Sequence, residues 1–232
     1  MKDQCQREYF DLSKHRFDQT NLINPPFFQQ LELNQLYHAL NLSPKSSLID
    51  FGAGSGRVSI FFLKLGFNVL AVDISPKSLI DLSKYYKKYR QPSWGKLTLS
   101  SELPNRPVAH GIVGADVLHH IPIPEYLPIF QKSLLPGGHL AFSEPNAWHL
   151  PWYIHYLISG IPWSVEEGIL QCTLPNLRSR LQIAGFSNIK ITGHGLLPTR
   201  FFTRFPALCQ GNVIAAKLAP PLAFRFIISC SS

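Results

Sequence analysis

With 232 residues, 45% of them hydrophobic and 16% charged, the chain has material for one substantial core and too little for two. A formal charge of +8 leaves acidic small molecules, an anionic membrane surface and nucleic acid open as partners. The polar start from Met1 to Glu8 predicts a cytoplasmic protein; no run of eighteen apolar residues suggests a membrane span, and Cys5, Cys172, Cys209 and Cys230 lack the spacing of a disulfide framework or zinc site, so no metal is expected.

Helix-like apolar spacing over residues 7–20 (Phe10, Phe17) and 27–40 (Leu31, Leu36, Leu40), parted by Asn24-Pro25-Pro26, predicts an N-terminal helical extension over residues 1–46. From Ser47 short apolar runs alternate with amphipathic stretches. Strands are expected at Leu48–Phe51, Asn68–Val72, Lys96–Leu99, Gly111–Val117 and Gly138–Ser143, and helices at Arg57–Leu65, Pro76–Tyr89 and Ile123–Leu134. Strand and helix taking turns implies right-handed crossovers and a parallel sheet covered on both faces, an α/β domain over residues 47–232. The basic cluster Lys84, Lys87, Lys88 and Arg90 sits on one of these helices and reads as a solvated face rather than a nucleic-acid surface. Beyond Ser143 the character changes. An aromatic insertion over about 147–170 carries Trp148, Trp152 and Trp163, three of the four tryptophans. A helix over Pro175–Ala184 stops at Gly185, a strand follows over Asn188–Thr192, and a Pro- and Phe-rich insertion over about 197–221 precedes a last strand at Leu222–Cys230.

The segment Leu48-Ile49-Asp50-Phe51-Gly52-Ala53-Gly54-Ser55-Gly56-Arg57 is a strand running through a glycine turn into a helix. Alternating glycines allow close approach of a ligand and leave bare N–H groups at a helix start. Asp73 ends the next strand, where a carboxylate can accept both hydroxyls of a ribose. A carboxylate at Asp50 would repel a pyrophosphate and attract an ammonium, and Gly-x-Gly-x-Gly is not the dinucleotide spacing Gly-x-Gly-x-x-Gly. A nucleoside carrying an amino acid is the ligand these residues call for.

That segment, together with Val69-Leu70-Ala71-Val72-Asp73-Ile74-Ser75, Ala115-Asp116-Val117-Leu118-His119-His120-Ile121 and Leu134-Leu135-Pro136-Gly137-Gly138-His139-Leu140, resembles the class I S-adenosylmethionine-dependent methyltransferases, most of all the small-molecule branch that includes quinone-biosynthesis enzymes. The resemblance implies a Rossmann-like doubly wound sheet of order 3-2-1-4-5-7-6 with an antiparallel last strand. It implies that Asp50 and the backbone of Gly52, Ala53, Gly54 and Gly56 hold the methionine moiety of S-adenosylmethionine, that Asp73 holds the ribose, that Ile74 packs on adenine, and that Asp116 and Leu118 line the methionine side. Two positions depart from the family pattern: Ser100-Ser101-Glu102 stands where many members place an adenine-binding acid, and Ala109-His110 replaces an aromatic-Asp pair.

Methyl transfer from a sulfonium is an in-line displacement that asks mainly for alignment in a dry cavity, with a base only where the acceptor is protonated. His119 and His120 are candidates for that base, or else for shaping the cofactor pocket; Glu144 is a candidate for acceptor contact or for helix capping. Trp148, Trp152 and Tyr156 either roof a hydrophobic acceptor or pack an extra helix on the core. The run from Leu197 to Phe205 mixes arginine and phenylalanine in the manner of a membrane-peripheral surface. Asn24-Pro25-Pro26-Phe27 superficially resembles a motif for methylating base amines, but it precedes the glycine loop instead of following the fourth strand, so a nucleic-acid acceptor is not expected. A catalytically silent cofactor-binding protein is the remaining alternative.

Overall fold

The computed structural model of the protein describes residues 19–202 and 204–232. Most of the helix expected over residues 7–20, with Phe10 and Phe17, lies outside them, as does Cys5.

A short helix α1 (Gln19–Ile23) and a longer α2 (Phe27–Leu40) precede the sheet. There follow β1 (Ser47–Phe51), α3 (Arg57–Lys64), β2 (Asn68–Val72), α4 (Pro76–Tyr89), β3 (Leu97–Ser100), β4 (Ala109–Ala115), α5 (Ile123–Ser133) and β5 (Leu134–Pro145). The second half holds α6 (Pro151–Ser159), α7 (Trp163–Glu166), α8 (Leu174–Ile183), β6 (Ser187–His194), α9 (Pro206–Leu218) and β7 (Arg225–Ser231). The seven strands form one sheet of order β3-β2-β1-β4-β5-β7-β6. Neighbours from β3 to β5 run parallel, and β7 runs antiparallel to both β5 and β6.

Both faces of this sheet are buried, as the unbroken apolar strands require. Successive side chains alternate between them: Ile49, Ile112 and Phe142 join Leu127, Phe130, Leu177 and Leu181 of α5 and α8 on one face. Leu48, Val113 and Ala141 join Leu33, Leu36, Leu40, Ile60, Phe62 and Leu82 of α2, α3 and α4 on the other. Thus α2 packs into the same core as the strands it precedes. Asn24-Pro25-Pro26 leads into it, with Pro26 at its N-terminal boundary and the Pro26 carbonyl accepting the N–H of Gln29 and Gln30.

The fifth strand starts earlier than the expected Gly138. Leu134 pairs with Ala109 and His139 with Gly111, so Pro136-Gly137-Gly138 bulges out of an already begun strand, with Gly137 at φ +71°. Gly185, at φ +85°, ends α8 as its position predicts.

Candidate active site

The site gathers at the carboxyl ends of β1, β2 and β4, where crossovers depart to opposite sides of the sheet. The loop after β1 is tied down by Gly52 and Ala53, whose N–H groups both donate to the Val72 carbonyl at 2.8 and 3.1 Å. A side chain at Gly52 would collide with Val117 Cγ2 at 2.3 Å, whereas one at Gly54 would meet nothing within 4 Å. The loop is therefore pressed against the protein at its first glycine and open at its second. The Gly54 N–H donates to Asp73 Oδ2 at 2.7 Å and the Ser75 N–H to Asp73 Oδ1 at 2.8 Å, so the carboxylate expected on ribose lies directly against the glycine loop. Ser75 also caps α4, its hydroxyl accepting the Ser78 N–H at 3.1 Å, an arrangement worth about 1 kcal/mol. Ile74 stands beside it with 39% of its surface exposed, open to a planar ligand.

Asp50 lies beneath the loop rather than at its mouth, fully buried. Its Oδ2 accepts the Ser59 hydroxyl at 2.6 Å, and its Oδ1 has no hydrogen-bond partner among the described residues. Burial, only partly offset by Ser59, pushes its pKa up to about 7. A half-satisfied carboxylate beside the glycine loop fits the cationic amino group of an amino-acid-bearing nucleoside, which would supply what Oδ1 lacks; the loop's own amides are not bare, those of Gly52 and Ala53 donating to Val72, that of Gly54 to Asp73 and that of Gly56 to the Ala53 carbonyl.

Beside the loop, Asp116 takes the left-handed conformation at φ +59°. Asp and Asn tolerate this better than most residues, and here the ion pairs hold it in place. Arg57 Nη2 pairs with Asp116 at 2.8 Å and Arg57 Nη1 with Glu32 at 3.2 Å, while Arg225 reaches both Asp116 and Glu32. Against the cost of burial, Arg225 and then Arg57 hold the Asp116 carboxyl well below the usual carboxylate range. Two carboxylates and two guanidiniums thus bind together α2, the start of α3, the end of β4 and the start of β7. Arg57 occupies the first turn of α3, where the helix dipole disfavours a cation, and its two acidic partners offset that.

A second network lies after β4. Glu144 does not face an open crevice. It is fully buried, its Oε1 accepting the N–H groups of Val117 and Leu118 at 2.9 and 2.8 Å, so of its two expected roles the structure displays capping. Its Oε2 meets His119 Nδ1 at 2.7 Å, and His119 Nε2 lies 3.4 Å from Glu166 Oε2. Despite burial, the hydrogen bonds to Glu144 and Glu166 raise the His119 pKa to about 9. Burial and the neighbouring His119 push His120 down to about 4; its Nδ1 faces the Val165 carbonyl at 3.1 Å. Glu166 reaches this place because the turn behind it touches His119: a Cβ on Gly168 would lie 1.7 Å from the His119 carbonyl oxygen, an approach that only glycine permits.

The aromatic insertion divides. Trp152 stacks on Phe224 at 4.2 Å, donates Nε1–H to the Phe224 carbonyl at 2.7 Å, and lies 5.5 Å from the Arg225 guanidinium. Tyr156 is buried and stacks at 6.0 Å on Trp152. Trp148 points away, with 53% of its surface exposed. Leu118 is buried beneath the loop it belongs to. The departures from the family pattern find local uses: Ser100 and Glu102 close an exposed turn, and His110 Nδ1 meets Ser47, tying β4 to β1 at the end away from the site.

Sequence reasoning missed Glu32, Arg57, Glu166 and Arg225 as members of the site. Glu32 had a readable signal, being a charge on the same helical face as Leu33, Leu36 and Leu40; the others are paired only by the fold.

Comparison with known proteins identifies the family and the fold. A family model described as a methyltransferase domain matches residues 23–191. The ribosomal protein L11 methyltransferase of Vibrio cholerae is 35% identical over 105 residues, 45% of this chain and 35% of that one, so the chain spans about a third of the length of that relative. The demethylmenaquinone methyltransferase of Tropheryma whipplei is 26% identical over 161 residues, 67% of this chain and 66% of that one. Among solved structures, the cyclopropane synthase MmaA2 from Mycobacterium tuberculosis superposes with a TM-score of 0.66 at 15% identity, covering 99% of this chain and 97% of that one.

Proposed function

The chain belongs to the methyltransferase-domain family, and from that premise we propose that it binds S-adenosylmethionine and passes the methyl group to oxygen or nitrogen of a small, hydrophobic acceptor. One observation carries this reading: a buried carboxylate oxygen on Asp50 without a partner among the described residues, under a glycine loop whose open second glycine is hydrogen-bonded to Asp73. Asp50 would accept the ammonium, Asp73 the ribose hydroxyls, and Ile74 would pack on adenine; Asp116 and Leu118 would border the methionine side. Bound there, S-adenosylmethionine supplies a methyl group on a cationic sulfur and leaves as S-adenosylhomocysteine.

The residues around it have to orient the acceptor and exclude water. Trp152 and Tyr156, stacked on each other, supply an apolar wall joined to the site through Arg225, which supports a hydrophobic acceptor. The match to a demethylmenaquinone methyltransferase, longer than that to the ribosomal protein enzymes, favours a small molecule. His119 holds a proton at neutral pH and His120 is too weak a base to take one from a hydroxyl, so both orient the acceptor rather than deprotonate it.

A hydrophobic acceptor suits access from a lipid surface. Leu157, Ile158, Phe201, Phe205, Leu208 and Leu218 are exposed, and Arg200 and Arg204 lie among them in sequence. No described helix is long and apolar enough to cross a membrane, so contact would be peripheral. Replacing Phe201 and Phe205 by serine should release the protein from anionic vesicles on sedimentation; equal sedimentation of the variant and the native chain would remove this part of the proposal.

The enzyme reading is tested by incubating the protein with methyl-labelled cofactor and a lipid-plus-metabolite extract. Mass spectrometry should find a labelled small apolar product, and a label appearing only on protein or nucleic acid would overturn it.

A further inference from the structure

The side chains of His119, His120 and Glu166 each offer one ligand atom, all within 4.8 Å of one another. We propose that these three residues form a binding site for a divalent transition cation of zinc's kind, with two imidazole nitrogens and one carboxylate oxygen as ligands.

Four features argue for it. The spacing is already close to that of a bound ion: ligand atoms of a tetrahedral zinc lie about 3.4 Å apart, and His119 Nε2 stands 3.4 Å from Glu166 Oε2. The histidines are held as ligands are. His119 Nδ1 faces Glu144 and His120 Nδ1 faces the Val165 carbonyl, and an acceptor on one ring nitrogen is what orients an imidazole whose other nitrogen ligates an ion. The third ligand is placed by the fold, since the close packing of Gly168 on the His119 carbonyl brings Glu166 beside the imidazole. Finally, Glu144 and Glu166 flank one imidazole with two negative charges in a buried setting, which calls for a cation at that point.

Three protein ligands leave a fourth coordination position for an oxygen of the acceptor, as in catalytic sites rather than structural ones. Resting on the methyltransferase reading, this narrows the acceptor to a hydroxyl-bearing one: the ion would acidify that hydroxyl, the proton passing to solvent.

The test uses the tag-free full chain, stripped with chelator and dialysed against zinc or cobalt ions. Elemental analysis should find about one equivalent per chain, and cobalt should give the visible absorption of a tetrahedral nitrogen and oxygen site without thiolate charge transfer. His120→Gln and Glu166→Gln, each checked for retained fold by circular dichroism, should weaken uptake at least about tenfold. Uptake well below one equivalent, or uptake unchanged in both variants, would overturn the proposal. S-adenosylhomocysteine binding is measured on the same preparation: its loss with metal uptake intact would count against the cofactor reading and not against the metal site.

Discussion

Asp50 is held in a state that a folded protein without ligand would rather avoid. Its pKa rises from 3.8 to about 7 on burial, so the folded chain binds more protons than the unfolded one between those values. Ionisation therefore subtracts stability as pH rises through that window, and the full cost is present above pH 7. Asp50→Asn should raise the melting temperature at pH 8 and change it little near pH 4, measured by differential scanning fluorimetry without ligand. The same variant should bind S-adenosylhomocysteine poorly, which would mark the acid as kept for binding at the expense of stability. At Asp73, replacement by Asn removes a charged acceptor from the Gly54 and Ser75 amides and from the ribose. With about 1.5–3 kcal/mol per hydrogen bond to a charged group, a tenfold to hundredfold loss of S-adenosylhomocysteine affinity is expected by calorimetry.

Between elements, the quartet of Glu32, Arg57, Asp116 and Arg225 joins segments that the chain order keeps far apart. Removing one partner of a buried ionic network leaves the others uncompensated, at about 3–5 kcal/mol. Arg225→Met should accordingly lower stability by about that much in urea titrations, with near-native stability contradicting the network's role. Helix and strand placement and the glycine loop could be read in advance because each rests on local periodicity and turn chemistry, as Leu48–Gly56 and Pro76–Tyr89 illustrate, whereas the strand order came from the family resemblance. The partners of the charged residues could not be. Arg225 meets Glu32 only because β7 inserts antiparallel beside β5 under α2, and the early start of β5 was hidden because Pro136-Gly137-Gly138 resembles a turn before a strand, not a bulge within one. Glu144 and Asp50 were singled out in the sequence as acids of the candidate site, but whether each faces ligand or backbone depends on burial that sequence does not display.

Over the whole molecule, the helices before β1 are part of the core. Leu33, Leu36 and Leu40 are buried against the sheet, and Glu32 enters the ionic quartet. At about 2 kcal/mol for each leucine, or about 6 kcal/mol together, their loss is comparable to the lower part of a total stability of roughly 5–15 kcal/mol. A chain lacking residues 1–46 should fail to unfold cooperatively, and a sharp, near-native transition would instead show a dispensable extension. The account as a whole rests on Asp50, Asp73 and the glycine loop acting as one receptor for a nucleoside bearing a cationic amino acid. The most direct measurement is isothermal calorimetry of the intact chain with S-adenosylhomocysteine at pH 6 and pH 8, with NAD as the comparison ligand. The account predicts saturable binding of about one equivalent, tighter at pH 8 because Asp50 ionises near pH 7, and no uptake of NAD. Absence of S-adenosylhomocysteine binding at both pH values, or equal binding of NAD, would contradict it.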